Sequence, residues 1–154
     1  MRRLSRFLDL PWPDRLLLVR ALVVLLAVRA GMRFLPCRLL WRLVSALGRG
    51  GAGRPESDLR RRVAWALGMI GPYIRSTTCL PQALAAAVLL ARGGDEPLIR
   101  IGVARNGQGG LEAHAWVECD GQVVVGFLSD LARYTPLAPE QGERQLVLAC
   151  GKRS

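Results

Sequence analysis

Ser76-Thr77-Thr78-Cys79-Leu80-Pro81-Gln82 runs directly into the apolar segment Ala83 to Ala91. Thr78 is suited to cap a helix, because its hydroxyl can accept a hydrogen bond from a first-turn amide. Pro81 fits the first turn, where a missing N–H costs no intrahelical bond. The pattern therefore predicts a helix opening at Cys79. A thiol in that position lies at the positive end of the helix dipole, beside unpaired backbone amides. Those amides suit an anionic sulfur and can also receive an oxyanion. Cys79 is the candidate nucleophile.

Such a cysteine needs a base, and His114 is the only histidine in the chain. It falls within Leu111-Glu112-Ala113-His114-Ala115-Trp116-Val117-Glu118-Cys119. Period-two alternation puts His114, Trp116 and Glu118 on one face of a strand and Ala113, Ala115, Val117 and Cys119 on the other. The plainer reading is a buried thiol and a core histidine. The capped helix start and the single histidine beside a tryptophan favour a Cys79–His114 dyad. Gln82, one turn along the helix, is a candidate for aligning substrate or an ordinary surface residue. Trp116 is expected to pack and shield.

With 51% hydrophobic residues in 154, the chain can bury a substantial core. The net charge of +10 belongs to the first part: residues 1–62 carry fourteen arginines against Asp9, Asp14, Glu56 and Asp58, and the remainder is neutral. Arg60-Arg61-Arg62 reads as the solvated face of a helix. Nucleic-acid binding needs a basic patch with base-stacking aromatics or groove-reading geometry, and this run shows neither, so no nucleic-acid partner is expected. Cys37, Cys79, Cys119 and Cys150 show no paired spacing, so neither a zinc site nor any cofactor is expected. Reduced thiols and the lack of a secretory pattern predict a cytoplasmic protein.

Pro13-Asp14 should open a helix reaching about Gly31. Its apolar run, Leu16 to Met32, contains Arg20 and Arg29, which argues against a membrane span. Burial against the protein or a partner is the favoured reading, and weak contact with a membrane surface is the other. A second helix is expected from Pro36 to Leu47. Gly48 to Pro55 reads as a linker, and a third helix should run from Asp58, capped by Ser57, to Ile70. The expected organisation is a basic, Leu-rich helical region over 1–47, the linker over 48–55 and the chemistry-bearing domain over 56–154. Beyond the Cys79 helix, strands are expected over Leu98–Ala104, Glu112–Cys119 and Gln122–Phe127, with Asp120-Gly121 as a two-residue hairpin turn. Short pieces at Tyr134–Leu137 and Gln145–Ala149 are further candidates. This is an α+β layer architecture, with the nucleophile helix packed on a small antiparallel sheet.

A cysteine at a helix start followed by His-Ala-Trp-Val-Glu on a strand resembles the transglutaminase-like branch of the papain-type cysteine hydrolases. Cys79-Leu80-Pro81-Gln82-Ala83-Leu84, Ile101-Gly102-Val103-Ala104, Glu112 to Glu118 and Tyr134-Thr135-Pro136-Leu137 are similar to the leader peptidases of lasso-peptide biosynthesis. The resemblance is strong over roughly residues 58–138. It implies a cysteine protease that removes the leader from a ribosomally made precursor, before a separate cyclase closes the ring. It also implies a separate leader-recognition protein as partner, since nothing in the chain looks like that module. The same residues would serve an acyltransferase or amidase of the superfamily, and a non-enzymatic adaptor would keep the fold alone. The resemblance further implies an aspartate on the strand after the histidine. Counting from an Asp120-Gly121 turn places His114 opposite Phe127, where no aspartate stands. Asp120 reads as a turn residue. Asp130 reaches the ring if the strand bulges at Gly126, and otherwise caps Leu131-Ala132-Arg133. A backbone carbonyl or Glu118 is the remaining partner for the imidazole.

Overall fold

The computed structural model describes residues 10–36, 57–74 and 79–137, with positions 39, 42 and 46 besides. Helix α1 spans Trp12–Phe34, three residues beyond the expected end. Pro11 stands at its N-cap without a side-chain cap, while Asp14 in the first turn and Arg33 in the last complement the helix dipole. Positions 39, 42 and 46 are helical, within the stretch expected to form a second helix. The rest of that stretch, the Gly48–Pro55 linker, the Thr78 cap and the Gln145–Ala149 candidate lie outside the described residues. Helix α2 spans Ser57–Ile70 and passes into a 3-10 turn, Gly71–Tyr73. Helix α3 spans Cys79–Arg92, opening on the expected residue.

The sheet follows α3. Strands β1 (Leu98–Arg105), β2 (Leu111–Cys119), β3 (Gln122–Val125) and β4 (Thr135–Pro136) stand in the order β3-β2-β1-β4. Every pairing is antiparallel, and Gly102 lies opposite both His114 and Pro136. Asp120 and Gly121 have φ of 50° and 75°, which two-residue hairpin turns require, and Cys119 pairs with Gln122 as expected.

One face of the sheet carries the helices. Leu17, Ala21 and Leu25 of α1, Val63, Ala66 and Leu67 of α2, and Ala83, Ala86 and Leu90 of α3 form one buried cluster with Ile101, Ala115, Val117 and Val125. The run of alanines lets α3 approach both the sheet and α1 closely. Each large aliphatic side chain buried there contributes about 1.5–3 kcal/mol. Helix α1 thus belongs to the main core. A smaller cluster of Ala104, Trp116 and Tyr134 covers the other face, with Val123, Leu128 and Leu131 packed on it. A Cβ at Gly102 would come within 2.9 Å of the Trp116 ring and 3.0 Å of Tyr134 Cβ, so the bare backbone there is what lets the indole lie flat.

Two expectations need correction. The hairpin does bulge, but before Gly126: Glu118 pairs with Val123 and Val117 with Val125, which leaves Val124 as the extra residue. The irregularity turns both Val124 and Val125 toward the helix-side core, where an unbroken register would bury only one of them. The strand then ends at Val125 instead of Phe127, and Phe127 is exposed. The second correction concerns the arginine run. Arg61 is solvated and pairs with Asp58, but Arg62 meets Asp14 at 2.8 Å, and Arg60 is largely enclosed with Asp95 and Asp120.

Candidate active site

Cys79 is a free, half-buried thiol at the first residue of α3, packed with Leu80 against the main core. After α3 the chain reverses through Gly93 and Gly94 into β1, so helix and strand run antiparallel in neighbouring layers. The far end of this pair is fixed by Arg60, which bonds Asp95 just beyond α3 and Asp120 in the hairpin turn. The fourteen residues of α3 span about 21 Å. At about 3.3 Å per strand residue, that length runs from Leu98 to near Ala104. Cys79 stands at the opposite end of α3 from the Arg60 clasp. The two chemistry-bearing residues are Cys79 on α3 and His114 on β2.

They do not share one surface. The imidazole of His114 is on the side of β2 turned away from α3. Its ring stacks with Trp116 (centroids 6.1 Å apart, planes 16° from parallel) and lies 5.5 Å from the tilted ring of Tyr134. Nε2 is 2.7 Å from the carbonyl oxygen of Gly126. Among the described residues no hydrogen bond joins His114 to Cys79.

The carboxylates around the ring are engaged elsewhere. Asp130 stands at the N-cap position of the Leu131–Arg133 turn, makes no side-chain cap bond and pairs with Arg133 Nε at 2.7 Å. Among the described residues it makes no hydrogen bond to the imidazole, whose Nε2 meets Gly126 instead. Glu112 pairs with Arg133 and accepts the Tyr134 hydroxyl at 2.9 Å. Burial, and then the hydrogen bond to Glu112, raise the Tyr134 hydroxyl above its ordinary pKa. Glu118 accepts from Trp116 Nε1 at 2.7 Å and from Arg100 Nε at 3.2 Å. Asp120 sits in the turn with Arg60, far from the ring. The side-chain amide of Gln82 lies over Gly71, where a Cβ would be only 2.6 Å from its Nε2. That contact is one the sequence offers no sign of.

Trp116 is buried and closes the ring's inner side, as expected of a packing residue. Cys119 is buried under the hairpin, and burial followed by the charge of Asp95 pushes its thiol pKa up. Cys37 and Cys150 lie outside the described residues. Among the described residues, no group of three His, Cys, Asp or Glu side chains is placed to hold a metal ion. No helix among them is long and apolar enough to cross a membrane.

Comparison with curated proteins and with solved structures gives no match. The model of the transglutaminase-like superfamily matches residues 22–139, a span that takes in most of α1, all of α2 and α3, and the whole sheet. That span is well over half of the chain, and the chain belongs to the transglutaminase-like superfamily.

Proposed function

We propose that the protein is a cysteine peptidase that removes the leader from a lasso-peptide precursor before macrocyclisation. The observation that carries the reading is Cys79 as the first residue of a core-packed helix in a transglutaminase-like chain whose sheet bears the single histidine. The similarity of Cys79–Leu84, Glu112–Glu118 and Tyr134–Leu137 to lasso-peptide leader peptidases supplies the substrate class.

Cys79 sulfur attacks the carbonyl carbon of the leader–core amide, and His114 takes the thiol proton. Backbone N–H groups at the start of α3, that of Cys79 included, face the tetrahedral oxyanion. His114 returns the proton to the leaving amine, which frees the core peptide and leaves the leader as a thioester. A water deprotonated by His114 then hydrolyses the thioester and regenerates the thiol. The precursor leader, a separate leader-recognition protein and the cyclase are the partners of this reading, and the cytoplasm is its place.

The test incubates the full chain, together with its leader-recognition partner, with precursor peptide and follows the products by mass spectrometry. Cys79→Ala and His114→Ala should each reduce cleavage to background while far-UV circular dichroism stays unchanged. More than a trace of cleavage by either folded variant removes the dyad. Product joined to an added free amine, instead of hydrolysed leader, identifies an acyltransferase. A wild-type chain that cleaves nothing and still binds the partner identifies an adaptor.

A further inference from the structure

We propose that the backbone carbonyl of Gly126 is the positioning group of His114, occupying the role for which a carboxylate was expected. The proposal rests on the reading of His114 as the base. A carbonyl oxygen only accepts, so at 2.7 Å the ring nitrogen Nε2 must carry the hydrogen. A neutral imidazole has one N–H, and Nδ1 is therefore left with the free lone pair, the one that the base role assigned to His114 requires. Tyr134 and Trp116 flank the ring and limit its rotation.

The direction of this carbonyl depends on glycine. Gly126 has φ of 86°, a region that residues with a side chain rarely adopt. A Cβ there would come within 2.8 Å of the Ala115 carbonyl oxygen, 2.9 Å of Trp116 Cβ and 3.0 Å of Trp116 Cα, two of the three being backbone atoms. The chain thus leaves β3 pressed against the backbone of β2, two residues from His114, and turns its carbonyl onto the ring. Asp130, Glu112 and Glu118 already have cationic or hydroxyl partners, so none competes for Nε2. When Nδ1 takes the thiol proton, Nε2–H stays with Gly126, and a neutral dipole faces the imidazolium where an anion would otherwise stand.

With one histidine in the chain, nuclear magnetic resonance of protein carrying 15N-histidine reads a single imidazole. The expected spectrum has a downfield Nε2–H proton protected from solvent exchange, with Nδ1 unprotonated in the neutral ring. Asp130→Asn should leave that proton in place and keep leader cleavage within about twofold. Gly126→Ala should abolish the protected proton and slow cleavage at least about tenfold, within the range that general-base positioning commands. Hydrogen on Nδ1, an unprotected Nε2–H in the wild-type protein, or loss of the proton in Asp130→Asn overturns the assignment; these readings do not require the Gly126 variant to fold. They need no substrate either. A missing proton alongside cleavage that depends on Cys79 overturns the Gly126 assignment alone, whereas a Cys79 that cleaves nothing removes the base role itself.

Discussion

Arg60 donates its Nε–H to the buried Oδ1 of Asp95 at 2.9 Å, and its Nη2 also bonds Asp120 at 2.7 Å. One guanidinium therefore joins α2 to the loop after α3 and to the β2–β3 turn. The Asp95 side chain is wholly enclosed, and its Oδ2 has no partner among the described residues. The hydrogen bond to Asp95 is the main reason the Arg60 guanidinium is held above its already high pKa.

Removing Arg60 would leave an uncompensated carboxylate in the interior. Arg60→Met should destabilise the fold by about 3–5 kcal/mol, the range found when one partner of a buried pair is deleted. Arg60→Met combined with Asp95→Leu should recover most of that loss, because replacing both charges with apolar groups is often neutral. Urea denaturation of the four members of the cycle gives the coupling directly. Additive losses in the double variant would mean that the pair does not act as a unit.

That pair also marks where sequence reading stopped. Cys79 opens its helix and Asp120-Gly121 turns its hairpin where local chemistry placed them, since caps, prolines and paired positive-φ residues act over a few positions. Arg60-Arg61-Arg62 looks uniform, and only tertiary packing assigns Arg60 to Asp95, thirty-five residues away. The shift at Val124 was equally hidden. Three consecutive valines give no polar alternation to fix the register, and burial of Val124 with Val125 decided it. The imidazole Nε2 meets the Gly126 carbonyl, a contact supplied by a backbone turn and not by a residue type that a sequence displays.

The two described thiols should behave differently toward iodoacetamide. Cys79 is half-buried at a helix start, while Cys119 is 1% exposed and its pKa is raised by burial and by Asp95. At neutral pH, peptide mapping of the native protein should find Cys79 modified at least about tenfold faster, as burial both blocks access to Cys119 and raises its pKa. Equal rates would remove the distinction on which the nucleophile assignment stands.

The raised values carry a sign for stability. Cys119 and Tyr134 both hold their protons more tightly in the fold than in the unfolded chain. Their contribution is complete at lower pH and is lost as pH climbs past the unfolded values, about 8.5 for a thiol and about 10 for a phenol. Urea midpoints should therefore fall between about pH 8.5 and 11, and Cys119→Ala should flatten the lower part of that decline. A decline unchanged by Cys119→Ala would assign it to other groups.

The outer side of α1 supplies the last expectation. Leu17, Ala21, Leu25 and Val28 face the core. On the opposite side Leu16, Val19, Val23 and Leu26 follow alternating spacings of three and four, and between 38% and 58% of each is exposed. That spacing is the seam by which one helix packs on another, and an apolar stripe of this kind in water favours association. Full-length protein should self-associate alone and become monodisperse with the proposed leader-recognition protein or cyclase, as read by light scattering after gel filtration. Val23→Lys with Leu26→Glu should reduce association in both settings while changing stability by no more than about 0.5 kcal/mol per site, since neither side chain is buried. If the unmodified chain is monomeric at tens of micromolar and binds neither protein nor anionic vesicles, the stripe is not a docking surface.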